Sequence, residues 1–425
     1  MVLLYDLLMH LFVLAMQLAA WVNPKARLWV EGRRNWRVQL AEQRTQPKEA
    51  HRKQVLWVHV ASLGEFEQGR PIIESFRERF PDWKIVLTFF SPSGYEVRKD
   101  YAHADLICYL LADTRRNARD FLDLILPDAA IFIKYEFWAN YLLELQRRGT
   151  PTLLVSALFR PSQPFFKWYG GFWRKMLGCF THIFVQNRAS GQLLQEIGIE
   201  QYSVAGDTRV DRVLKIAAAA QPNAVVQAFI EADAAPVLVV GSSWEPDETV
   251  IFDACKTGPD PKRPDLLKWK LIIAPHETSE INVKRICKAA GDAIRYSQAA
   301  QGPLDSTCLV IDNIGLLNTL YRYGTVAYIG GGFGKSIHNT LEPAAFGLPI
   351  IFGPKYEKFE EARQFVARGG AFSVNNAAEL ALVLAKLRDP VFYQKASKAV
   401  IGYLEESRGA TEKVMALLEK EFGKR

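Results

Sequence analysis

Short, wholly apolar runs alternate along this chain with longer segments in which apolar residues recur every three or four positions. The short runs predict strands at 55–60, 84–89, 106–109, 129–133, 152–155 and 182–186. Segments of helical length and period lie between them, among them 68–80 and 139–148. A second series follows the segment 221–235, with strands predicted at 237–241, 271–274, 308–311, 326–329, 349–352 and 372–374. Strands that read as continuous apolar runs are buried on both faces. The rhythm therefore predicts an α/β protein with two Rossmann-like, doubly wound domains, each a parallel sheet covered by helices, facing a cleft. One long helical pattern, 392–422, closes the chain. No internal repeat or low-complexity tract is visible.

The first apolar segment is different. Residues 2–22 are mostly apolar, with Asp6, His10 and Gln17 inside, and Lys25, Arg27, Arg33, Arg34 and Arg37 follow. About 20 apolar residues can cross a bilayer. A signal peptide carries its basic residues before the apolar core, and here they come after it. The segment is expected to be a membrane-anchor helix, spanning or interfacial, with the bulk of the chain on the cytoplasmic side. The bland alternative is a buried N-terminal helix of a soluble protein. A polar stretch, 39–54, reads as a linker. The expected organisation is an anchor at 1–22, a basic linker or helix at 23–54, an N-terminal Rossmann-like domain at 55–220 and a C-terminal one at 221–425. The final helix of the last domain is free to pack back on the N-terminal one.

With 425 residues, 49% of them hydrophobic and 23% charged, the chain is long enough for two globular domains and is not disordered. Its formal net charge of +7 favours anionic partners: membrane lipid, a phosphorylated substrate or nucleic acid. No nucleic-acid motif stands out, which makes the last the weakest. The five cysteines lack metal or redox spacing and read as buried cytoplasmic thiols. Neither His-Glu-x-x-His nor Asp-x-Asp occurs, so the sequence makes no case for a catalytic metal.

Ligands of open α/β sheets sit beyond the carboxyl ends of the strands. One such end carries the run Gly330-Gly331-Gly332-Phe333-Gly334-Lys335-Ser336-Ile337-His338-Asn339-Thr340-Leu341-Glu342. A strand, a glycine-rich turn and a helix start make an anion site, because glycine backbone can approach a phosphate and unpaired N–H groups point at it. Glu342 could accept hydrogen bonds from a ribose diol. Gly334-Lys335-Ser336 ends like a P-loop, but Ile329 stands where that motif needs its first glycine. The dinucleotide fingerprint fails as well, since Ile337 and His338 occupy the place of its third glycine. A tight turn without a ligand stays open. Other strand ends carry Ser62, Gly64 and Glu65; Ser93; Glu136; Ser242; and His276. Ser62-x-x-Glu65 has the spacing of a capping box, which would occupy Glu65 with a backbone N–H; the functional reading is a general base. Glu136, between aromatics, reads either as an ordinary surface carboxylate or as a site residue. The run Phe165 to Lys175, rich in aromatics and basic residues, reads either as a membrane-facing edge or as core.

Taken in order, His59 to Glu65, Thr88 to Gly94, Glu136 to Asn140, Gly206 to Asp211, Gly241 to Ser243 and His338 to Ala344 resemble the 3-deoxy-D-manno-octulosonic acid (Kdo) transferases of lipopolysaccharide synthesis, over nearly the whole chain. The resemblance implies a GT-B glycosyltransferase that moves Kdo from CMP-Kdo to a lipid A precursor, inverting the anomeric centre without a metal or other cofactor. It implies Glu65 as the general base, with Glu136, Ser62 and Ser93 toward the acceptor. Toward the donor it implies Gly331, Gly332, Asn339, Thr340, Glu342, His276 and Ser242, with Lys335 or Arg209 supplying positive charge. That charge is at issue because the family's Pro-Arg-His is reduced to Pro275-His276, and its Gly-Gly before His-Asn is Ser336-Ile337. Two alternatives remain: a GT-B enzyme using another nucleotide sugar, and a nucleotide-binding membrane protein without catalysis.

Overall fold

The computed structural model describes residues 1–44, 53–257, 268–299 and 305–422. The chain forms two compact units. One comprises Met1–Asp211 together with the chain from Ser407 onward, the other Arg212–Glu406.

The first unit holds a seven-stranded parallel sheet of β1 (Val55–Val60), β2 (Lys84–Phe89), β3 (Leu106–Tyr109), β4 (Ala129–Ile133), β5 (Thr152–Ala157), β6 (His182–Val185) and β7 (Tyr202–Val204), in the order β3-β2-β1-β4-β5-β6-β7. The central strands are buried on both faces, as their unbroken apolar runs require: Leu56, Trp57, Val58 and Val60 are all inaccessible. The second unit repeats the plan. Its strands are β8 (Val237–Ser243), β9 (Lys270–Pro275), β10 (Ala293–Arg295), β11 (Cys308–Val310), β12 (Val326–Ile329), β13 (Ile350–Phe352) and β14 (Ala371–Ser373), in the order β10-β11-β9-β8-β12-β13-β14. In each sheet the winding reverses beside the first strand, between β1 and β4 and between β8 and β12, which are the crevices where ligands of such sheets bind.

The expected strands are present to within one or two residues, and β7 and β10 were not foreseen. Both are three-residue edge strands with no fully buried residue, so no apolar run marks them. The helix expected at 68–80 spans Leu63–Arg79 and carries Pro71 in its interior. The single C-terminal pattern divides into Pro390–Ser407 and Ala410–Phe422, because Gly409 adopts φ 82° between them. The Asp211 carboxylate then accepts the N–H groups of Gly409 (2.6 Å) and Thr411 (2.7 Å), which fixes the start of the last helix. That helix packs on Leu63–Arg79, with Phe422 5.2 Å from the ring of Trp83. The polar stretch 39–54 begins as the end of helix Trp36–Arg44, and residues 45–52 lie outside the described residues.

The N-terminal helix, Val2–Ala19, is long and apolar enough to cross a membrane, and none of it is fully buried. The buried-helix alternative therefore fails. The helix Pro24–Glu31 follows, capped by the Asn23 side chain, which accepts from the N–H groups of Lys25 and Ala26.

Candidate active site

In the first unit, β1 ends at Val60 and the chain turns into helix Leu63–Arg79 with Ser62 at its N-cap position. The capping box does not form. The Ser62 side chain makes no bond to a helix N–H; its hydroxyl donates to Glu65 Oε2. The half-buried Glu65 is thus oriented by a hydroxyl at the carboxyl end of a central strand. Ser93 lies in the first turn of helix Pro92–Arg98, and its hydroxyl is 2.8 Å from that of Ser91.

Glu136 is no ordinary surface carboxylate, for it is only 9% exposed. Its Oε2 accepts the indole N–H of Trp138 at 2.6 Å and lies 3.1 Å from His59 Nε2. His59, inaccessible in the middle of β1, meets the Thr88 hydroxyl through Nδ1 at 2.9 Å, and that hydroxyl accepts the Trp57 indole N–H at 2.8 Å. A hydrogen-bonded chain therefore runs Trp57, Thr88, His59, Glu136, Trp138, from the adjacent strands β1 and β2 to the segment that follows β4 on the other side of β1. The Trp138 indole nitrogen is also 3.0 Å from His59 Nε2. With its proton on Nε2, His59 donates to the carboxylate and accepts at Nδ1 from Thr88, and the indole N–H is then given to Glu136. Sequence reading gave His59 and Trp138 no role. The available signal was a histidine inside an otherwise apolar, buried strand.

Arg209 requires a correction. Its guanidinium grips the buried Asp207 carboxylate, with Nη2 to Oδ2 at 2.6 Å and Nε to Oδ2 at 3.1 Å. Against the upward pull of burial, Arg209 and Lys134 hold the Asp207 carboxyl below its ordinary value. The charge expected to meet a donor is committed to this pair.

In the second unit the carboxyl ends of β8, β9 and β12 carry the remaining candidates. Ser242 sits at φ 53°, an uncommon conformation for a residue with a Cβ. The glycines of the run are needed for close backbone crossing. A Cβ on Gly330 would stand 2.3 Å from the Ser242 carbonyl oxygen, and one on Gly332 would stand 2.6 Å from the Gly353 nitrogen. The expectation that these N–H groups point at a phosphate fails for Gly331, whose N–H is taken by Asp247 Oδ2 at 2.9 Å. Asp247, inaccessible, also accepts the Trp244 N–H (3.0 Å) and the Tyr328 hydroxyl (3.1 Å) and so holds the loop to the β8 end; burial raises its pKa. The helix after the loop is only the short Leu341–Ala344.

A cavity of about 310 Å³ opens beside this loop, bounded by Gly241, Ser242, Tyr321, His338, Asn339 and Glu342 among others. Asn339 caps the Leu341 N–H with Oδ1 (3.0 Å) and donates from Nδ2 to Glu342 Oε1 (3.0 Å), so the two predicted donor residues fix one another. Thr340 is buried with its hydroxyl unpartnered. Trp244, His276 and His338 form a stack, with ring centroids 4.4 and 4.6 Å apart. The Trp244 indole N–H reaches His338 Nε2 at 3.3 Å, which leaves the proton of a neutral His338 on Nδ1. Burial first, and His276 second, hold His338 below its ordinary pKa. Among the described residues lining the cavity, His338 alone has a side chain able to carry positive charge. Lys335 is exposed on the loop. Among the described residues no group of three or more His, Cys, Asp or Glu converges as a metal site.

The model of the family described as 3-deoxy-D-manno-octulosonic-acid transferase (kdotransferase) matches residues 34–212. The 3-deoxy-D-manno-octulosonic acid transferase of Aquifex aeolicus is 27% identical over 371 residues, covering 85% of this chain and 96% of that protein. The protein of the same name from Bordetella pertussis is 26% identical over 383 residues, 87% of either chain. Among solved structures, the UDP-GlcNAc 2-epimerase of Neisseria meningitidis bound to UDP-GlcNAc superposes with a TM-score of 0.57 at 15% identity, covering 86% of this chain and all of that one. The calicheamicin glycosyltransferase CalG4 gives 0.53 at 14% identity over 88% of this chain and all of that one. At such identities the structural likeness establishes the fold, which is GT-B.

Proposed function

The chain belongs to the Kdo transferase family and is a glycosyltransferase, and from that premise we propose that it transfers Kdo from CMP-Kdo to a lipid A precursor at the cytoplasmic face of the inner membrane. The observation that carries the reading is Glu65. Its carboxylate stands at the carboxyl end of β1, held by the Ser62 hydroxyl instead of being spent on a helix cap.

In the proposed reaction Glu65 removes the proton of the acceptor hydroxyl as that oxygen attacks the Kdo anomeric carbon. The bond from that carbon to the phosphate oxygen breaks on the opposite side, so the centre inverts, and CMP departs with the electron pair. No metal takes part. The departing phosphate is stabilised instead by donors fixed before the reaction, the Nδ1–H of His338 foremost. Glu342, held by Asn339, takes the ribose diol. Ser242 and the backbone at Gly331 and Gly332 shape the wall beside the nucleotide. Glu136, with Ser62 and Ser93, positions the acceptor. Lys335 adds positive charge toward the donor, and His276 a hydrogen bond.

Mass spectrometry of a lipid A precursor incubated with detergent-solubilised protein and freshly generated CMP-Kdo tests the proposal. A product heavier by one or more Kdo units is expected, unchanged in yield by EDTA. No product, with a known transferase active in a parallel reaction, would redirect the assignment to another donor or acceptor.

A further inference from the structure

The helix Val2–Ala19 has two unlike faces. On the inner one, the Tyr5 hydroxyl donates to the buried Asp113 at 2.7 Å. Asp6 Oδ1 accepts the backbone N–H of Arg115 at 2.9 Å, at the start of helix Arg115–Ile125, and the Asn140 side-chain amide at 3.3 Å. The Phe12 ring lies 5.6 Å from Trp29 and 6.3 Å from Phe90. The fastening continues past the helix end, where Arg27 donates to the carbonyls of Ala20 (3.3 Å) and Trp21 (3.5 Å). The helix therefore lies lengthwise on the first unit. Phe90, which it touches, is also 4.5 Å from Trp138, so the helix abuts the catalytic edge of the sheet.

The outer face is a leucine stripe. Leu4, Leu7, Leu8, Leu11, Leu14 and Leu18 are each more than half exposed. Trp21 (82%) and Val22 (87%) extend the stripe past one end of the helix. The run 165–175 meets the helix at Tyr5, whose ring is 5.7 Å from Phe172. That run divides between the two roles read for it: Phe165 is buried, whereas Trp168 is 93% exposed and Tyr169 52%. Exposed Lys25, Arg27, Arg34 and Lys175 flank the surface. Over residues 1–40 five basic residues face two acidic ones, Asp6 and Glu31, and Asp6 is turned inward.

We infer that Val2–Ala19 does not cross the bilayer but lies in its plane, with the leucine stripe sunk into the lipid and the catalytic edge of the first unit held at the headgroup level. The inference rests on the membrane placement proposed above. To span, the helix would have to leave Asp113, Arg115 and Asn140, carry Asp6 into hydrocarbon and expose Phe12, Trp29 and Phe90. In the plane it keeps all these contacts. His10 and Gln17, which interrupt the outer face, then sit at a polar boundary. Apolar leucines with exposed tryptophans and a basic surround match an anionic lipid surface and not an acidic or neutral protein groove.

The test is topological and uses the full chain with an epitope tag before Met1. The tag should be digested by protease in inside-out membrane vesicles and protected in right-side-out spheroplasts. Digestion in spheroplasts would place the N-terminus across the membrane and overturn the inference. In a second arm, the purified chain is sedimented with phosphatidylethanolamine vesicles containing phosphatidylglycerol. The double variant Leu7→Glu, Leu11→Glu should lose at least tenfold in partition while retaining CMP binding, and undiminished partition would overturn the inference. Should that variant misfold, brominated lipid must quench Trp21 of the wild type, measured as the difference from Trp21→Phe; absence of quenching counts against it. Failure of the wild type to sediment at all would instead refute the membrane placement itself.

Discussion

Trp138 donates its indole N–H to Glu136 at 2.6 Å, and the same carboxylate oxygen lies 3.1 Å from His59 Nε2. A nearly buried carboxylate with two fixed donors has its lone pairs directed, leaving its second oxygen for a ligand. Removing one donor leaves the carboxylate under-satisfied at a cost of about 1–3 kcal/mol. Trp138→Phe is expected to lower kcat/KM for the acceptor roughly tenfold, with donor KM within about twofold of wild type. Bisubstrate steady-state kinetics will check this; a rise confined to the donor KM would contradict acceptor positioning by Glu136.

Glu65→Gln keeps the size of the side chain and a hydrogen bond to Ser62 but cannot take a proton. A general base typically supplies about 10²–10⁴-fold in rate. The variant is expected to lose kcat in that range while binding CMP with a Kd within about twofold of wild type. Titration calorimetry and rate measurement on one preparation separate the two effects, and a retained kcat would remove Glu65 from the chemistry.

Binding of CMP should depend on pH through His338. Because burial and His276 depress its pKa, the neutral ring favours the folded, unliganded protein at pH above the ordinary histidine value, and that contribution is lost as pH falls through its folded value. A phosphate dianion at Nδ1 favours the protonated ring, so binding takes up a proton. Affinity is expected to strengthen roughly fivefold from pH 7.5 to 6.0. The other titratable groups facing the ring are His276 and Glu342, with Asp247 beneath the loop. Calorimetry in two buffers of different ionisation enthalpy reads the proton directly. His338→Asn should abolish the uptake, and an unchanged uptake in that variant would assign it elsewhere.

Asp113 gives the first unit a pH dependence of its own. Burial pushes its carboxyl up to about 7, against the Tyr5 hydroxyl and the N–H groups of Asn140 and Tyr141. A carboxyl raised in the folded state favours folding fully below its unfolded pKa, and that contribution fades as pH rises through the folded value. Between about pH 4 and 7 the loss is at most on the order of 4 kcal/mol. The stability difference between wild type and Asp113→Asn is therefore expected to shift against the wild type as pH rises from 5 to 8. Chemical denaturation at several pH values measures it, and a flat difference would show that Asp113 does not titrate there.

Much of the fold was legible because the strands that build the sheets are short apolar runs such as Leu56–Trp57–Val58, and two-sided burial writes itself into consecutive residues. The edge strands β7 and β10 were not, since one-sided pairing at an edge needs few apolar side chains. The loops at strand ends were legible as places. Ser62, Glu65, Glu136, His338 and Glu342 stand at the two points where the winding reverses, because that position follows from chain order alone.

What those residues do to one another was settled by the tertiary structure. Ser62 and Glu65 have the spacing of a cap, yet the hydroxyl turns to the carboxylate, a rotamer choice that spacing does not encode. Arg209 has the charge a donor would want, and Asp207, two residues away, claims it. Trp244, His276 and His338 are as many as 94 residues apart in the chain and stack only because β8, β9 and β12 are neighbours in the sheet. By itself the sequence determined the two-sheet architecture, the resemblance to the Kdo transferases and the apolar N-terminal helix, all of which depend on local pattern and order. Only the tertiary structure decided that Tyr5 and Asp6 face inward and the leucines outward. Which face of an amphipathic helix is covered depends on partners such as Asp113 and Asn140, brought to it from more than a hundred residues along the chain.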